Sequence, residues 1–287
     1  MLTLATTIAT LVVTQGVGAE AGVYDEYVGV RAPSMGGAHR GVGTSNDTLY
    51  LNPAGMAIAQ RYSLDAGYAF SPFDNLNRFN VSVVDSKSGP VAGGVGYTLV
   101  NGDGDGLDAN IQRFYGALAY SLIPNLTLGA TVRHIRGSLS DAINEDGERV
   151  EREVRAWNGD IGLAAQFGSI GAGLVYQNVL NADEEDELFT PRTLGGGISF
   201  TTGPLVLAAD AVNRIDDDEF SYNVGAEYFL QESYALRAGY AYEPFVDREG
   251  QGDNESIVSG GLAYITGQGA VDLGFLRSLE RARNWQL

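Results

Sequence analysis

The chain has 287 residues and no cysteine, and its 36 acidic residues outnumber 18 basic ones, which gives a formal charge of -18. This composition excludes disulfides and thiolate metal sites, and the negative charge argues against a nucleic-acid partner. After the first residues, the sequence contains no apolar run of 18 or more residues that could form a membrane helix. If the chain enters a bilayer, it must do so as β-strands.

The N-terminus has the composition of a signal peptide. Residues 2–13 are apolar or Thr, and the small residues at 17–19 and 19–21 each suit a signal peptidase site. We therefore predict that residues 1–21 are removed on export. The alternative is a short buried helix or strand, because the basic segment that usually begins a signal peptide is missing.

From residue 63 onward, segments of about ten residues alternate apolar with small or polar side chains, which is the period of a strand with two different environments. In residues 126–133, for example, Leu, Leu, Ala and Val share one face. The pattern predicts thirteen strands and the beginning of a fourteenth at Asn284. The strands are predicted near 62–70, 78–85, 91–100, 113–121, 125–136, 153–167, 170–179, 192–200, 205–213, 220–229, 234–243, 256–265 and 269–277.

The connections between these strands alternate in length. Long loops hold 21 of the 36 acidic residues, whereas the short turns hold only Glu232. Short turns at one rim and long loops at the other are typical of a transmembrane up-and-down barrel. The short turns are 122–125, 167–170, 201–204, 230–234 and 266–269, and the long loops are 101–112, 137–152, 180–191, 213–220 and 244–256.

We therefore predict an all-β fold, a transmembrane antiparallel β-barrel of about 14 strands in the bacterial outer membrane. Both termini and the short turns would be periplasmic, and the acidic loops extracellular. The last strand would be truncated at Leu287, without the terminal aromatic residue usual in such barrels.

The two strand faces favour a membrane barrel over a soluble β-sandwich or soluble barrel, which would show the same period. Polar residues on the inner face suit a wet lumen, and aromatic residues near strand ends on the other face suit the interfacial girdles. The predicted lumen-facing polar residues are Asp65, Arg133, Asp160, Asp210, Glu227, Arg237 and Asp272. The predicted outward aromatics are Tyr68, Tyr120, Trp157, Tyr176, Tyr222, Tyr228, Tyr240, Tyr242 and Tyr264.

Two motifs precede the first of these strands. Residues 31–38 read Arg-Ala-Pro-Ser-Met-Gly-Gly-Ala, and residues 46–57 contain Asn52-Pro53-Ala54-Gly55. Together they resemble the N-terminal segment of the FadL-like outer-membrane family, the transporters of long-chain fatty acids and aromatic hydrocarbons, whose members carry a Met-Gly-Gly-Ala stretch followed by Asn-Pro-Ala-Gly.

The resemblance implies that residues 22–60 fold into the lumen as a hatch, with Met35, Gly36 and Gly37 in it, and that residues 61–287 form the surrounding barrel. Asn52-Pro53-Ala54-Gly55 would be the turn into the wall. There Pro53 fixes φ, Gly55 tolerates a positive φ and Asn52 caps its own turn. The same residues could instead contact cargo directly.

One acidic segment is a candidate metal site. Asp103, Asp105 and Asp108 lie in a stretch that resembles the opening of a calcium loop, but Gln112 occupies the position that needs a bidentate Glu. We expect an exposed acidic turn and no cofactor.

His134, Ser138, Ser140 and Asp141 are a candidate catalytic site, because they include the residue types of a nucleophile, a base and a group that orients the base. The strand period places His134 on the same face as Leu126 and Leu128, towards lipid or the interface. We therefore expect a rim histidine, no catalytic residues and no enzymatic activity.

Two functions remain open at this point. The resemblance implies passive uptake of small hydrophobic molecules of the fatty-acid or hydrocarbon class. The alternative is a non-transporting barrel that acts as a scaffold or docking protein for a secretion or surface partner. In either case the expected surroundings are outer-membrane lipid and lipopolysaccharide.

Overall fold

The computed structural model describes residues 5–6, 10–15, 29–71, 75–104, 107–143, 149–180, 191–215, 219–246 and 252–280. The first elements are short: β1 (Ala5–Thr6), β2 (Thr10–Gln15), α1 (Arg31–Ser34), α2 (Thr48–Leu51) and a 3-10 helix (Pro53–Ala57). Thirteen longer strands follow: β3 (Tyr62–Ser71), β4 (Leu76–Asp85), β5 (Val91–Gly104), β6 (Leu107–Ile123), β7 (Leu126–Ile143), β8 (Arg149–Phe167), β9 (Ile170–Gln177), β10 (Thr193–Thr202), β11 (Leu205–Arg214), β12 (Glu219–Leu230), β13 (Tyr234–Val246), β14 (Gly252–Ile265) and β15 (Ala270–Ser278). None of the described helices is long and apolar enough to cross a membrane.

Each strand from β3 to β15 pairs antiparallel with the next strand of the chain, which confirms the predicted up-and-down sheet. Strand direction alternates along the sheet, and thirteen is an odd number. The first and last of these strands, β3 and β15, therefore run in the same direction. Strand β2 lies between them and is parallel to both, with Val12 opposite Gly274 of β15 and Ala69 of β3. The fourteenth strand predicted from Asn284 lies outside the described residues.

All thirteen predicted strands are present, but some are longer than predicted. Loops were predicted at 101–112 and 137–152, and this is wrong. Strands β5 and β6 stay paired as far as Gly104 and Leu107, and β7 and β8 as far as Ile143 and Arg149. Strand pairing continues there because the hydrogen bonds between strands join backbone groups and do not depend on apolar side chains.

The two faces of the sheet differ as the period predicts. On β6, Leu118 is 63% exposed whereas its neighbour Ala117 is 5% exposed, and Trp157 on the outward face of β8 is 65% exposed. A large exposed apolar surface of this kind suits contact with lipid. The predicted outward aromatics Tyr68, Tyr120, Tyr222, Tyr228, Tyr240 and Tyr264 are exposed, while Tyr176 and Tyr242 are half-buried.

Candidate functional site

Residues 29–57, which we call the hatch, fill the barrel lumen on the side of the short turns. Leu49 and Met56 are fully buried against lumen-facing residues of β4, β5 and β6. Tyr50 packs edge-on against Tyr115 of β6, with ring centroids 4.8 Å apart. The hydroxyl of Thr127 on β7 donates a hydrogen bond to the carbonyl of the hatch residue Ala54, at 2.8 Å.

The wall around the hatch is lined by glycine. A Cβ atom on Gly129 of β7 would lie 2.5 Å from the carbonyl carbon of Pro53, and one on Gly239 of β13 would lie 2.7 Å from Cα of Gly36. Backbone atoms cannot move aside, so only glycine permits this approach. This glycine belt was not predicted, although glycine recurs at lumen-facing positions. Its other members are Gly94, Gly96, Gly162, Gly171, Gly173, Gly195, Gly225, Gly261 and Gly274.

The Asn-Pro-Ala-Gly segment ties the hatch to the wall. Oδ1 of Asn52 accepts a hydrogen bond from the backbone N–H of Ala54 at 3.3 Å, which confirms the predicted cap. Its Nδ2 donates to the carbonyl of Leu163 on β8 at 3.0 Å. Pro53 begins the 3-10 helix, where its missing donor is tolerated. The segment therefore docks directly on the wall.

Positive φ occurs in the other hatch motif. Gly36 and Gly37 have φ of +65° and +80°, and the backbone N–H of Gly36 donates to the hydroxyl of Ser259 on β14 at 3.0 Å. Gly55 tolerates a positive φ but does not adopt one. Glycine is required there because a Cβ would lie 2.8 Å from the Thr48 methyl carbon.

Four of the charged groups form a chain between hatch and wall. Glu227 of β12 accepts hydrogen bonds from Nε of Arg31 in the hatch, at 3.1 Å, and from Nε of Arg237 on β13, at 2.7 Å. Arg237 also pairs with Asp272 of β15. The Glu227 side chain is fully buried. At this level the predicted lumen-facing charges therefore pair with the hatch and with one another.

Asp210 of β11 makes a second connection. One of its carboxylate oxygens accepts the backbone N–H groups of His39 and Arg40, both at 2.9 Å. The Arg40 guanidinium lies 3.4 Å from the same oxygen. Charge-assisted hydrogen bonds to Asp210, from the backbone of His39 and Arg40 and from the Arg40 side chain, thus attach the hatch to the wall.

The remaining predicted polar residues form contacts with other wall residues. Arg133 of β7 pairs with Asp160 of β8 at 2.9 Å, and both side chains are 1% exposed. Asp160 also accepts the backbone N–H of Asn178 at 2.9 Å. Asp65 is half-buried on β3 and accepts a hydrogen bond from Asn80 at 3.4 Å.

Asp47 and His39 are buried titratable residues of the hatch. The Asp47 carboxylate accepts the backbone N–H of Ala32 at 2.9 Å. Burial nevertheless raises the pKa of Asp47 to about 6, against the opposing effect of that hydrogen bond, of Ser45 and of Arg31. Burial, followed by nearby arginines, holds the pKa of His39 well below its usual value, so its ring is neutral.

On the long-loop side of the hatch, the lumen face of β4–β7 carries five apolar side chains, with Arg78 opposite Val100 and Arg113 opposite Ile135. Leu76, Val100, Ala109, Ile111 and Ile135 are each at most 4% exposed, and we call them the apolar sector. Val100 lies directly opposite Ile111. The sequence prediction stressed charged lumen residues and missed this sector, although strand parity places all five on the inner face. A smaller apolar cluster across the lumen consists of Val30, Ala241, Ile257 and Leu276.

On the short-turn side, a cavity of about 600 Å³ lies between the hatch and the wall. Its apolar lining comes from Val42 and Ile58 of the hatch and from Val206, Phe229 and Ile265 of the wall. The hatch therefore separates two partly apolar regions of the lumen.

Residues of the two other candidate sites lie on β5, β6 and β7. Asp103 and Asp108 lie opposite each other in the paired hairpin of β5 and β6, and Asp105 lies outside the described residues. The described part of the chain contains no group of three or more residues that could hold a metal ion. His134 faces outward and packs on Trp157, with ring centroids 4.7 Å apart.

Comparisons with known proteins find the same fold. No protein-family model matches the chain, and no curated protein is similar to it in sequence. Three similar solved structures are the CymD monoaromatic hydrocarbon channel (16% identity, TM-score 0.63, covering 83% of this chain and 88% of that one), the Ralstonia pickettii toluene transporter TbuX (16%, 0.59, 85% and 91%) and a Pseudomonas aeruginosa FadL homologue (13%, 0.54, 79% and 83%). The expected likeness to FadL-like proteins is confirmed at the level of the fold. The docking alternative receives no support from these comparisons.

Proposed function

We propose that this FadL-like barrel is an outer-membrane channel for the passive uptake of small hydrophobic molecules of the fatty-acid or hydrocarbon class. The apolar sector carries the proposal, because it places a group of apolar side chains on the lumen face at the long-loop side of the hatch, and sites for hydrophobic molecules are lined mainly by such side chains with a few polar groups. An apolar molecule gains free energy by leaving water for such a surface, roughly in proportion to the area it buries. The fold shared with proteins described as a monoaromatic hydrocarbon channel and a toluene transporter supports the same class of cargo.

In this proposal the long loops are extracellular and both termini are periplasmic. Cargo enters from the long-loop side and meets the apolar sector before the hatch. It then passes the hatch into the cavity of about 600 Å³ or leaves sideways through the wall.

Uptake of radiolabelled toluene, an alkylbenzene and a long-chain fatty acid by whole cells tests the proposal. Cells that produce the barrel should take up at least one of these faster than cells that lack it. Ile111→Asn places a polar amide in the apolar sector and should reduce that uptake several-fold, whereas the matched control Ile111→Val should not. Equal uptake of the whole panel with and without the protein would contradict the proposal.

A further inference from the structure

Four aromatic side chains form a continuous row on the outward face of β5–β8. Tyr97, Phe114, His134 and Trp157 lie directly opposite one another across successive strand pairs. Ring centroids are 4.9 Å apart for Tyr97 and Phe114, and 4.7 Å apart for His134 and Trp157. Amphipathic rings of this kind lie at the interface between hydrocarbon and water. This row therefore marks the level at which the wall leaves the hydrocarbon on the long-loop side.

Two residues further along β6, β7 and β8, towards the long loops, the outward side chains are Gln112, Arg136 and Arg155. Arg136 lies directly opposite Gln112 on one side and Arg155 on the other. It donates to Oε1 of Gln112 from Nε at 3.2 Å and from Nη2 at 2.9 Å, and its guanidinium carbon lies 5.6 Å from the centre of the Phe114 ring. Arg136 is thereby fixed against the Phe114 ring of the aromatic row.

Arg155 is exposed and forms no hydrogen bond or ion pair with any described residue. Two like charges directly opposite each other on a sheet destabilise it. Two carboxylates on this face whose side chains are described, Glu153 and Asp108, lie nearer the long loops and pair with neither arginine. An external anion at this level would remove the repulsion between Arg136 and Arg155.

We infer that Arg136 and Arg155 form a binding site on the outer wall for a phosphate group of lipid A in the outer leaflet. Planar guanidinium groups bind phosphate oxygens through paired hydrogen bonds, and the aromatic row places them at headgroup depth. The acyl chains would lie along the apolar wall on the other side of that row, where Val132 and Ile161 are 49% and 51% exposed. The inference rests on the proposed orientation of the barrel and is independent of its cargo.

Native mass spectrometry of the purified full-length barrel in detergent tests this site. The probes are bisphosphorylated lipid A, dephosphorylated lipid A and phosphatidylglycerol. The double variant Arg136→Gln/Arg155→Gln should bind lipid A at least roughly tenfold more weakly, since each charge-assisted hydrogen bond contributes about that factor. Arg277→Gln is the matched control, because Arg277 is exposed on the outward face of β15 opposite Val258, without a second arginine beside it.

The wild-type barrel should bind bisphosphorylated lipid A more tightly than either other probe, and Arg277→Gln should leave that binding unchanged. Unchanged lipid A binding by a folded double variant would overturn the inference. Equal binding of dephosphorylated lipid A would do the same, and equal binding of phosphatidylglycerol would overturn lipid A as the source of the phosphate. Arg155→Gln alone removes no contact within the described chain, so it tests the site even if the double variant folds poorly. If the wild-type barrel takes up no hydrocarbon, the proposed function fails, but the lipid A measurements still test this site.

Discussion

Arg31, at the start of the hatch, forms an ion pair with Glu227 of β12, which follows it by 196 residues in the chain. The Glu227 side chain is fully buried and that of Arg31 is 16% exposed. Breaking a buried ion pair destabilises a protein strongly, because the remaining charge is left without compensation. This pair therefore links the position of the hatch to the stability of the barrel.

Glu227→Gln should lower the free energy of unfolding by about 3–5 kcal/mol, because it leaves Arg31 and Arg237 beside a neutral amide. Urea unfolding in lipid vesicles, followed by tryptophan fluorescence, measures the change. Glu219→Gln is the control, since the pair of Arg214 and Glu219 is about one-third exposed and should contribute about 0–1 kcal/mol. Equal losses in the two variants would show that Glu227 does not hold the hatch.

The glycine belt should tolerate no side chain where the hatch backbone lies against it. Gly239→Ala places a methyl group 2.7 Å from Cα of Gly36, so the variant should lose about 3 kcal/mol of stability or release the hatch to protease. Gly116→Ala on the outward face of β6 meets nothing within 4 Å and should behave as the wild type. Unfolding and limited proteolysis measure both variants, and a stable, resistant Gly239→Ala barrel would contradict the proposed close contact.

Strand periodicity predicted all thirteen strands because a two-residue period is visible wherever one face is apolar. The same period failed at 101–112, because Gly and Asp residues interrupt it over 102–106, although pairing continues and Ala109 and Ile111 lie on the inner face. It placed Glu227 and Arg237 on the inner face, but their partners depend on how a distant segment folds into the lumen. The contact of Gly239 with the hatch was likewise invisible, because glycine leaves no trace in a hydropathy pattern.

The predicted removal of residues 1–21 has a direct test, since β2 lies in the seam between β3 and β15. The mature protein should begin at residue 20 or 22 by N-terminal sequencing. A Val12→Cys/Ala69→Cys variant should then form no disulfide in the mature barrel, although these positions pair across the seam. Ala66→Cys/Val81→Cys, a pair between β3 and β4, is the control that should crosslink. A mature barrel crosslinked through residue 12 would show that the segment is retained.

The proposed orientation can be tested with single cysteines, which have no background because the chain has none. A membrane-impermeant maleimide applied to intact cells should label cysteines at positions 145, 185, 217 and 250, which lie outside the described residues. It should spare cysteines at 124, 169, 203 and 268 in the short turns until the outer membrane is permeabilised. The reverse pattern would place the long loops in the periplasm and would also remove the basis for a lipid A site.

The buried carboxyl group of Asp47 should make stability depend on pH. Its pKa is about 6 in the folded protein against an ordinary value of 3.8, so the folded state holds the proton more strongly between these values. The contribution to stability is therefore complete below pH 4 and is lost as the pH rises through 6, by about 3 kcal/mol. Asp47→Asn should remove this dependence, so that the unfolding free energy of the wild type minus that of the variant falls between pH 4 and pH 7. Asp108→Asn, which changes an exposed carboxylate, provides the control for net charge and should give no such fall. If the unfolding free energy of the wild type minus that of Asp47→Asn rises with pH, the prediction is wrong. The interactions of the Asp47 carboxylate with Ala32 and Arg31 would then outweigh the cost of burying its charge.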